Sequence, residues 1–157
     1  MPPVKHREVH VHLGHIGGYG GIKLWTTALR NQDIMHIGID RQKAPVRIKL
    51  DNLQHIHADF LRGLEQISDN SVHRITSGNT FGKFDSRGLG SDFSRDDKAY
   101  FAQTIQVAHK KLLLGGTFEI VAHKEAITVL RKIFENHMYR WSKMQVKDKG
   151  TKLIATK

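Results

Sequence analysis

The stretch Val9-His10-Val11-His12-Leu13-Gly14-His15-Ile16-Gly17-Gly18-Tyr19-Gly20-Gly21 decides how the fold is read. Its first five residues alternate apolar side chains with histidine, the two-residue period of a β-strand. Gly14, Gly17, Gly18, Gly20 and Gly21 follow, and such a cluster lets a backbone turn sharply and approach a ligand closely. Ile22, Trp25 and Leu29 then recur at helical spacing and the pattern stops at Asn31. Strand, glycine-rich turn and helix, in that order, open an α/β unit.

The alternation continues along the chain. Met35 to Ile39 reads as a second strand ended by Asp40, and Pro45 with Val46 to Leu50 makes a poor helix, so the next crossover is reduced. His55 to Ala58 reads as a third strand, Phe60 to Ile67 as a short helix, Asp69-Asn70-Ser71 as a turn and Val72 to Thr76 as a fourth strand. Residues 82 to 96 are polar and glycine-rich, a loop long enough to be functional. Ser94 and Asp97 have the spacing of a capping box, and Phe101, Ile105, Ala108 and Leu112 mark one face of a helix that Gly115-Gly116 is expected to stop. Thr117 to Ala122 is a fifth strand, and Ala126, Ile127, Leu130, Ile133 and Phe134 mark another helix. Arg140 to Val146 and Thr151 to Thr156 are strands joined by Lys147-Asp148-Lys149-Gly150, which has hairpin-turn chemistry. The expected architecture is α/β: an open, mostly parallel sheet of about seven strands closed by a C-terminal antiparallel hairpin.

Composition bounds the function. The chain has 157 residues, read as one domain over 1–157. It has no cysteine, which excludes disulfides, thiolate zinc sites and cysteine nucleophiles. No apolar run approaches the length of a membrane span and Met1 to Glu8 lacks an apolar signal core, so a cytoplasmic protein with no membrane partner is expected. The formal charge of +10, with eleven histidines in reserve, points to RNA or another polyanion as partner. The cationic candidates are Lys83, Arg87 and Arg95 around the long loop, and Lys143, Lys147, Lys149 and Lys152 near the hairpin. Against this stands the plainer reading of a solvated basic face.

In open α/β sheets ligands bind beyond the carboxyl ends of the strands. Gly14, Asp40, Asp59 and Asn79 fall at or just beyond those ends. A carboxylate after strand two can accept bonds from both ribose hydroxyls, and Asp40 stands there. Asp59, after strand three, is placed to face an adenine amino group. Together they argue for an adenosine-bearing ligand. The spacing G-x-G-x-x-G cannot be laid on residues 14 to 21, which counts against a dinucleotide.

Over nearly its full length the chain resembles the class I S-adenosylmethionine-dependent methyltransferases, which have a Rossmann-like sheet. Val11 to Gly18 resembles that family's first motif, His36-Ile37-Gly38-Ile39-Asp40 the second, His57-Ala58-Asp59-Phe60 the third and Asp69 to Asn79 the fourth. Leu112 to Phe118 resembles the turn before strand five. The resemblance implies S-adenosyl-L-methionine as cofactor, held by Gly14, His15, Gly17, Gly18, Asp40, Arg41, Ala58, Asp59, Phe60 and Gly78. A methyl transfer needs an aligned acceptor, and Asn79 is the residue placed to orient it; the basic charge points to RNA or another macromolecule as that acceptor, and no metal is expected. The first motif is degenerate: His12 stands where an acid is usual and Ile16 where glycine is usual. The alternative function is therefore a catalytically degenerate domain that serves as a binding module or subunit.

The histidines fall on one side of the first strands. Val9, Val11 and Leu13 oppose His10 and His12, Ile37 opposes His36, and Ile56 opposes His55 and His57. Metal ligation needs matched distances, so hydrogen-bonded or solvated histidines are the reading. With no leading helix in the pattern, the histidine-bearing face is expected to be only partly covered within the chain. A homodimer or a partner protein would then cover it, and would dissociate in acid.

Overall fold

The computed structural model describes residues 6–14, 19–43, 49–78, 95–136 and 140–157. The elements run β1 (Glu8–Leu13), α1 (Tyr19–Arg30), β2 (Ile34–Asp40), β3 (Leu53–His57), α2 (Phe60–Glu65), β4 (Val72–Gly78), α3 (Arg95–Lys111), β5 (Leu112–Val121), α4 (Lys124–Glu135), β6 (Lys143–Lys147) and β7 (Lys152–Thr156). They form one seven-stranded sheet in the order β3-β2-β1-β4-β5-β7-β6. The first five strands in that order pair in parallel, and β7 pairs antiparallel with both β5 and β6. The α/β reading and the closing hairpin hold. Asp148 and Lys149, at the hairpin turn, take positive φ of 52° and 56°, the left-handed geometry that suits the twist of two antiparallel strands.

The apolar alternation puts Val11, Leu13, Ile37, Ile39, Ile75, Phe118, Ile120 and Leu153 on one face. There they share one core with Leu64 of α2, Ile105 of α3 and Ile127, Leu130 and Phe134 of α4. Helix α1 lies on the other face, over β2, burying Leu24 and Ala28. Asn52 fastens it: the buried side-chain amide donates to the carbonyls of Ala28, Asn31 and Ile34 at 2.8, 3.1 and 3.1 Å. One polar side chain thus satisfies carbonyls at the end of α1 and the start of β2.

Close packing is tightest where α2 crosses β2. A Cβ added at Gly63 would fall 2.3 Å from Ile39 Cγ2, an overlap that a side chain fixed at Cβ cannot relieve by rotating a free end. Gly63→Ala is expected to destabilise by about 1–2 kcal/mol, because overpacking outweighs alanine's helix propensity. Urea denaturation checks this; a stabilised variant would mean that α2 slides freely on the sheet.

Two boundaries differ from the sequence reading for reasons of long-range contact. Gly115-Gly116 does not stop α3, which ends at Lys111. The backbone N–H groups of Asn70 and Ser71 donate to the carbonyls of Lys110 and Lys111 at 3.0 and 2.9 Å, and Lys111 Nζ meets Asp69 Oδ1 at 2.6 Å. These contacts end the helix without a glycine cap. The glycines lie inside β5, where the pairing with β4 shifts between Val72 and Arg74 and Gly115 takes φ +82°. The third strand starts at Leu53, because His36 N–H donates to the Asn52 carbonyl and pulls the preceding residues into the ladder. The sixth begins at Lys143. Helix α3 already includes Arg95, so the long loop ends before it; the rest of that loop and the Ser94 cap lie outside the described residues.

Helix α1 covers part of the histidine-bearing face. His10, His12 and His36 do share a face, and His36 is 1% exposed within this chain. Lys23, Leu24 and Thr27 of α1 line an open cavity with His12. Only His36 is buried; His10, His12 and His55 are half-buried and His57 is exposed, so this face is partly covered within the chain.

Candidate functional site

The strand order places a switch point between β1 and β4. The chain leaves β1 for α1 on one face and leaves β3 for α2 on the other, so a crevice opens at the carboxyl ends of the strands. Along that edge Asp59, Asp40, Gly14 and Gly78 stand in the order of their strands. Three strand spacings separate the outermost, about 14 Å.

Gly14 ends β1 with φ +73°, a conformation that favours glycine, and its N–H donates to the Ile39 carbonyl at 2.8 Å. Asp40 ends β2, half-buried, and its Oδ1 accepts from the Gln42 N–H at 3.0 Å, which turns the chain away from the sheet. The Ala58 N–H donates to the Asp40 carbonyl at 3.0 Å, and His57 Nε2–H donates to the Arg41 carbonyl at 2.6 Å. The ends of β2 and β3 are thereby locked together, with the Arg41 side chain exposed. Asp59 is the N-cap of α2: Oδ1 accepts from the Arg62 N–H at 3.1 Å, and Oδ2 lies 3.7 Å from Arg62 Nε. Phe60 is half-buried against the core, and its N–H donates to the Tyr100 hydroxyl at 3.2 Å.

Tyr100 escaped the sequence reading. It sits next to the apolar position Phe101 on α3, and only the fold brings it to α2. Its flanking position on the helix stripe carried no signal of that reach. Ser77, just before Gly78, is buried with no hydrogen-bond partner for its hydroxyl among the described residues. An orphaned buried hydroxyl beside the crevice is a feature a polar ligand can satisfy. The structure thus brings Gly14, Asp40, Arg41, Ala58, Asp59, Phe60 and Gly78 to one edge. His15, Gly17, Gly18 and Asn79 lie outside the described residues. Among the described residues no group of three or more potential ligands is arranged to hold a metal.

Behind this edge runs a histidine chain. Thr76 Oγ1 and His12 Nδ1 are 3.0 Å apart, and His12 Nε2 is 3.0 Å from His36 Nδ1. The rings of His12 and His36 stack at 5.2 Å, and His10 meets His36 edge-on at 5.8 Å. Burial holds His36 neutral, pushing its pKa from 6.5 down to about 4, with neighbouring His10 acting in the same direction. The His55 pKa is also lowered by burial.

No family model and no curated protein matches the chain. Solved structures do. The antibiotic-resistance methyltransferase Kmr aligns with a TM-score of 0.62 at 12% identity, covering 98% of this chain and 89% of that one. The 16S rRNA methyltransferase KamB aligns at 0.61 and 15% identity over 98% and 88% of the two chains. A SAM-dependent methyltransferase from Aquifex aeolicus aligns at 0.62 and 13% identity over 97% and 82%. Seven strands in this order, the antiparallel β7 and the match over nearly the whole chain show that the protein has the class I S-adenosylmethionine-dependent methyltransferase fold.

Proposed function

We propose that the chain is a single-domain methyltransferase that uses S-adenosyl-L-methionine and acts on RNA in the cytoplasm. The observation that carries this reading is the row of strand ends, with the Asp40 carboxylate after β2 and the positive-φ Gly14 beside it at the switch point. Asp40 would accept the ribose hydroxyls, and the Gly14 turn would allow close approach of the amino-acid part. Ala58, Asp59 and Phe60 would border the adenine, Gly78 would lie against the cofactor beside its transferable methyl group, and Asn79 would orient the acceptor. The cofactor supplies a methyl group on a sulfonium; the chain's own residues supply alignment, which accounts for most of the rate in a reaction of this kind. The RNA reading rests on the charge of +10 and on the solved neighbours, one of them a 16S rRNA methyltransferase.

Calorimetry with S-adenosylmethionine and S-adenosylhomocysteine tests the reading. Asp40→Ala is expected to weaken binding by about 1.5–3 kcal/mol, the worth of hydrogen bonds to a charged group. Absence of any heat at millimolar cofactor would reject it. One observation favours a second reading, a binding module without catalysis. His12 stands where an acid is usual in this family, and here both its ring nitrogens are within bonding distance of neighbours in the chain. Cofactor binding without methyl transfer to any RNA would select that module.

A further inference from the structure

A parallel sheet normally has both faces covered, and strands so buried are apolar on both sides. The β4-β5-β7-β6 half is antiparallel at β5-β7 and β7-β6, and such pairs can leave one face to water. On the face that carries α1, the register aligns Arg74 with Thr117, Thr156 and Lys143. The next row is Thr76, Glu119, Ile154 and Gln145, and the last is Gly78, Val121, Lys152 and Lys147. Among the described residues no helix packs on this half, since α1 lies over β2 and α3 and α4 belong to the apolar face.

The chemistry of the patch selects its occupant. Glu119 Oε2 lies 2.6 Å from Arg74 Nη2 and 3.6 Å from Lys152 Nζ, so one carboxylate stands between two cations. Lys143 and Lys147 on β6 are exposed. Glu8, at the foot of β1, is engaged by His10 at 2.7 Å. Four permanent cations therefore face two carboxylates, and Val121 is the one exposed large apolar side chain of those rows. A second copy of the chain would bring the same cations against each other, and a hydrophobic partner would find little to bury. A polyanion fits.

The last row has a direction. It starts at Gly78, at the proposed methyl-transfer site, and reaches Lys152 two strands away and Lys147 three, about 10 and 14 Å. We propose that the uncovered polar half of the sheet, through Arg74, Lys143, Lys147 and Lys152, holds the backbone phosphates of RNA next to the nucleotide presented at the end of β4. The inference rests on the methyltransferase reading for its direction, but not for the binding itself. Glu119, paired with Arg74 and Lys152, competes with phosphate for both.

The test is fluorescence anisotropy of the full chain with a labelled single-stranded RNA of about 20 nucleotides over a salt series. For Lys147→Gln/Lys152→Gln the slope of log affinity against log salt should become shallower by about 1.4. Affinity at about 0.1 M salt should fall roughly 25-fold, from a single-strand slope of about 0.7 per phosphate contact. Glu119→Gln should raise affinity by about fivefold, as for one added contact. A purely structural Glu119 would lower it or leave it unchanged. Lys110→Gln/Lys132→Gln, on the opposite helices, should change nothing, and thermal melts confirm that every variant is folded. Unchanged affinity and slope in the lysine pair would overturn the proposal, as would an equal loss in the helix pair or no RNA binding by the parent. Self-association that the lysine pair abolishes would assign the face to a second copy instead. Cofactor calorimetry on the same samples keeps the two readings apart: RNA binding without cofactor binding retains this surface and rejects the methyltransferase.

Discussion

Replacing Phe118 by alanine is expected to lower the unfolding free energy by about 3–5 kcal/mol. Phe118 is fully buried at the centre of β5. Its ring meets Phe134 of α4 edge-on, with centroids 5.8 Å apart, and Phe134 in turn lies 5.1 Å from Trp141 ahead of β6. The stack joins the parallel half of the sheet to the C-terminal hairpin through α4, and truncation would leave a void that three elements cannot collapse together. At roughly 2–4 °C per kcal/mol for a chain of this size, the melting temperature should fall by about 6–20 °C. A double-mutant cycle with Phe134→Ala should return about 0.5–1.5 kcal/mol of coupling for the aromatic pair. A melting temperature within about 2 °C of the parent would show that the hairpin packs without this stack.

Acid should weaken the fold well above the pH at which carboxylates titrate. His36 has a pKa of about 4 in the folded chain against 6.5 when unperturbed. Below about pH 6.5 the unfolded chain therefore takes up a proton that the folded chain refuses, and stability falls as pH drops, until His36 itself protonates near 4. The full loss is about 3 kcal/mol, at 1.36 kcal/mol for each pKa unit. His55, also depressed, adds in the same direction. Beyond burial, His10 and His6 oppose protonation of His36, the Asn31 backbone favours it, and His12 bonds its Nδ1. Lys23 of α1 lines a cavity with His12, and Glu8 is bonded to His10. None is a carboxylate on His36 that could stabilise its charged form. Urea midpoints at a series of pH values from about 8 to about 4.5 check this, with His36→Asn as the variant, since its amide can still meet His12. The parent should lose stability across that range while the variant's profile is flatter. Equal slopes would place the acid sensitivity elsewhere.

The alternation of apolar and polar residues was enough to specify the α/β class, the antiparallel hairpin and the faces of β1 and β2. Periodicity records which side of an element is buried, and burial is what the sheet needs. Gly14 and Asp40 were legible for a related reason: a left-handed turn after a strand favours glycine, and a carboxylate at a strand end stands out against an apolar run. The end of α3 was not legible. Gly115-Gly116 is a good local stop, but the backbone of Asn70 and Ser71, some forty residues upstream, supplies the bonds that end the helix earlier. Tyr100 at α2 and Asn52 under α1 were hidden for the same reason, because their partners are fixed by packing and not by spacing. The histidines show the division most clearly. Their alternation placed His10, His12 and His36 on one face, but whether that face met water, a partner or the chain's own helix depended on where α1 came to rest. Only the tertiary structure could decide that, since coverage of a sheet face is a property of the elements packed above it and leaves no period in the strand beneath.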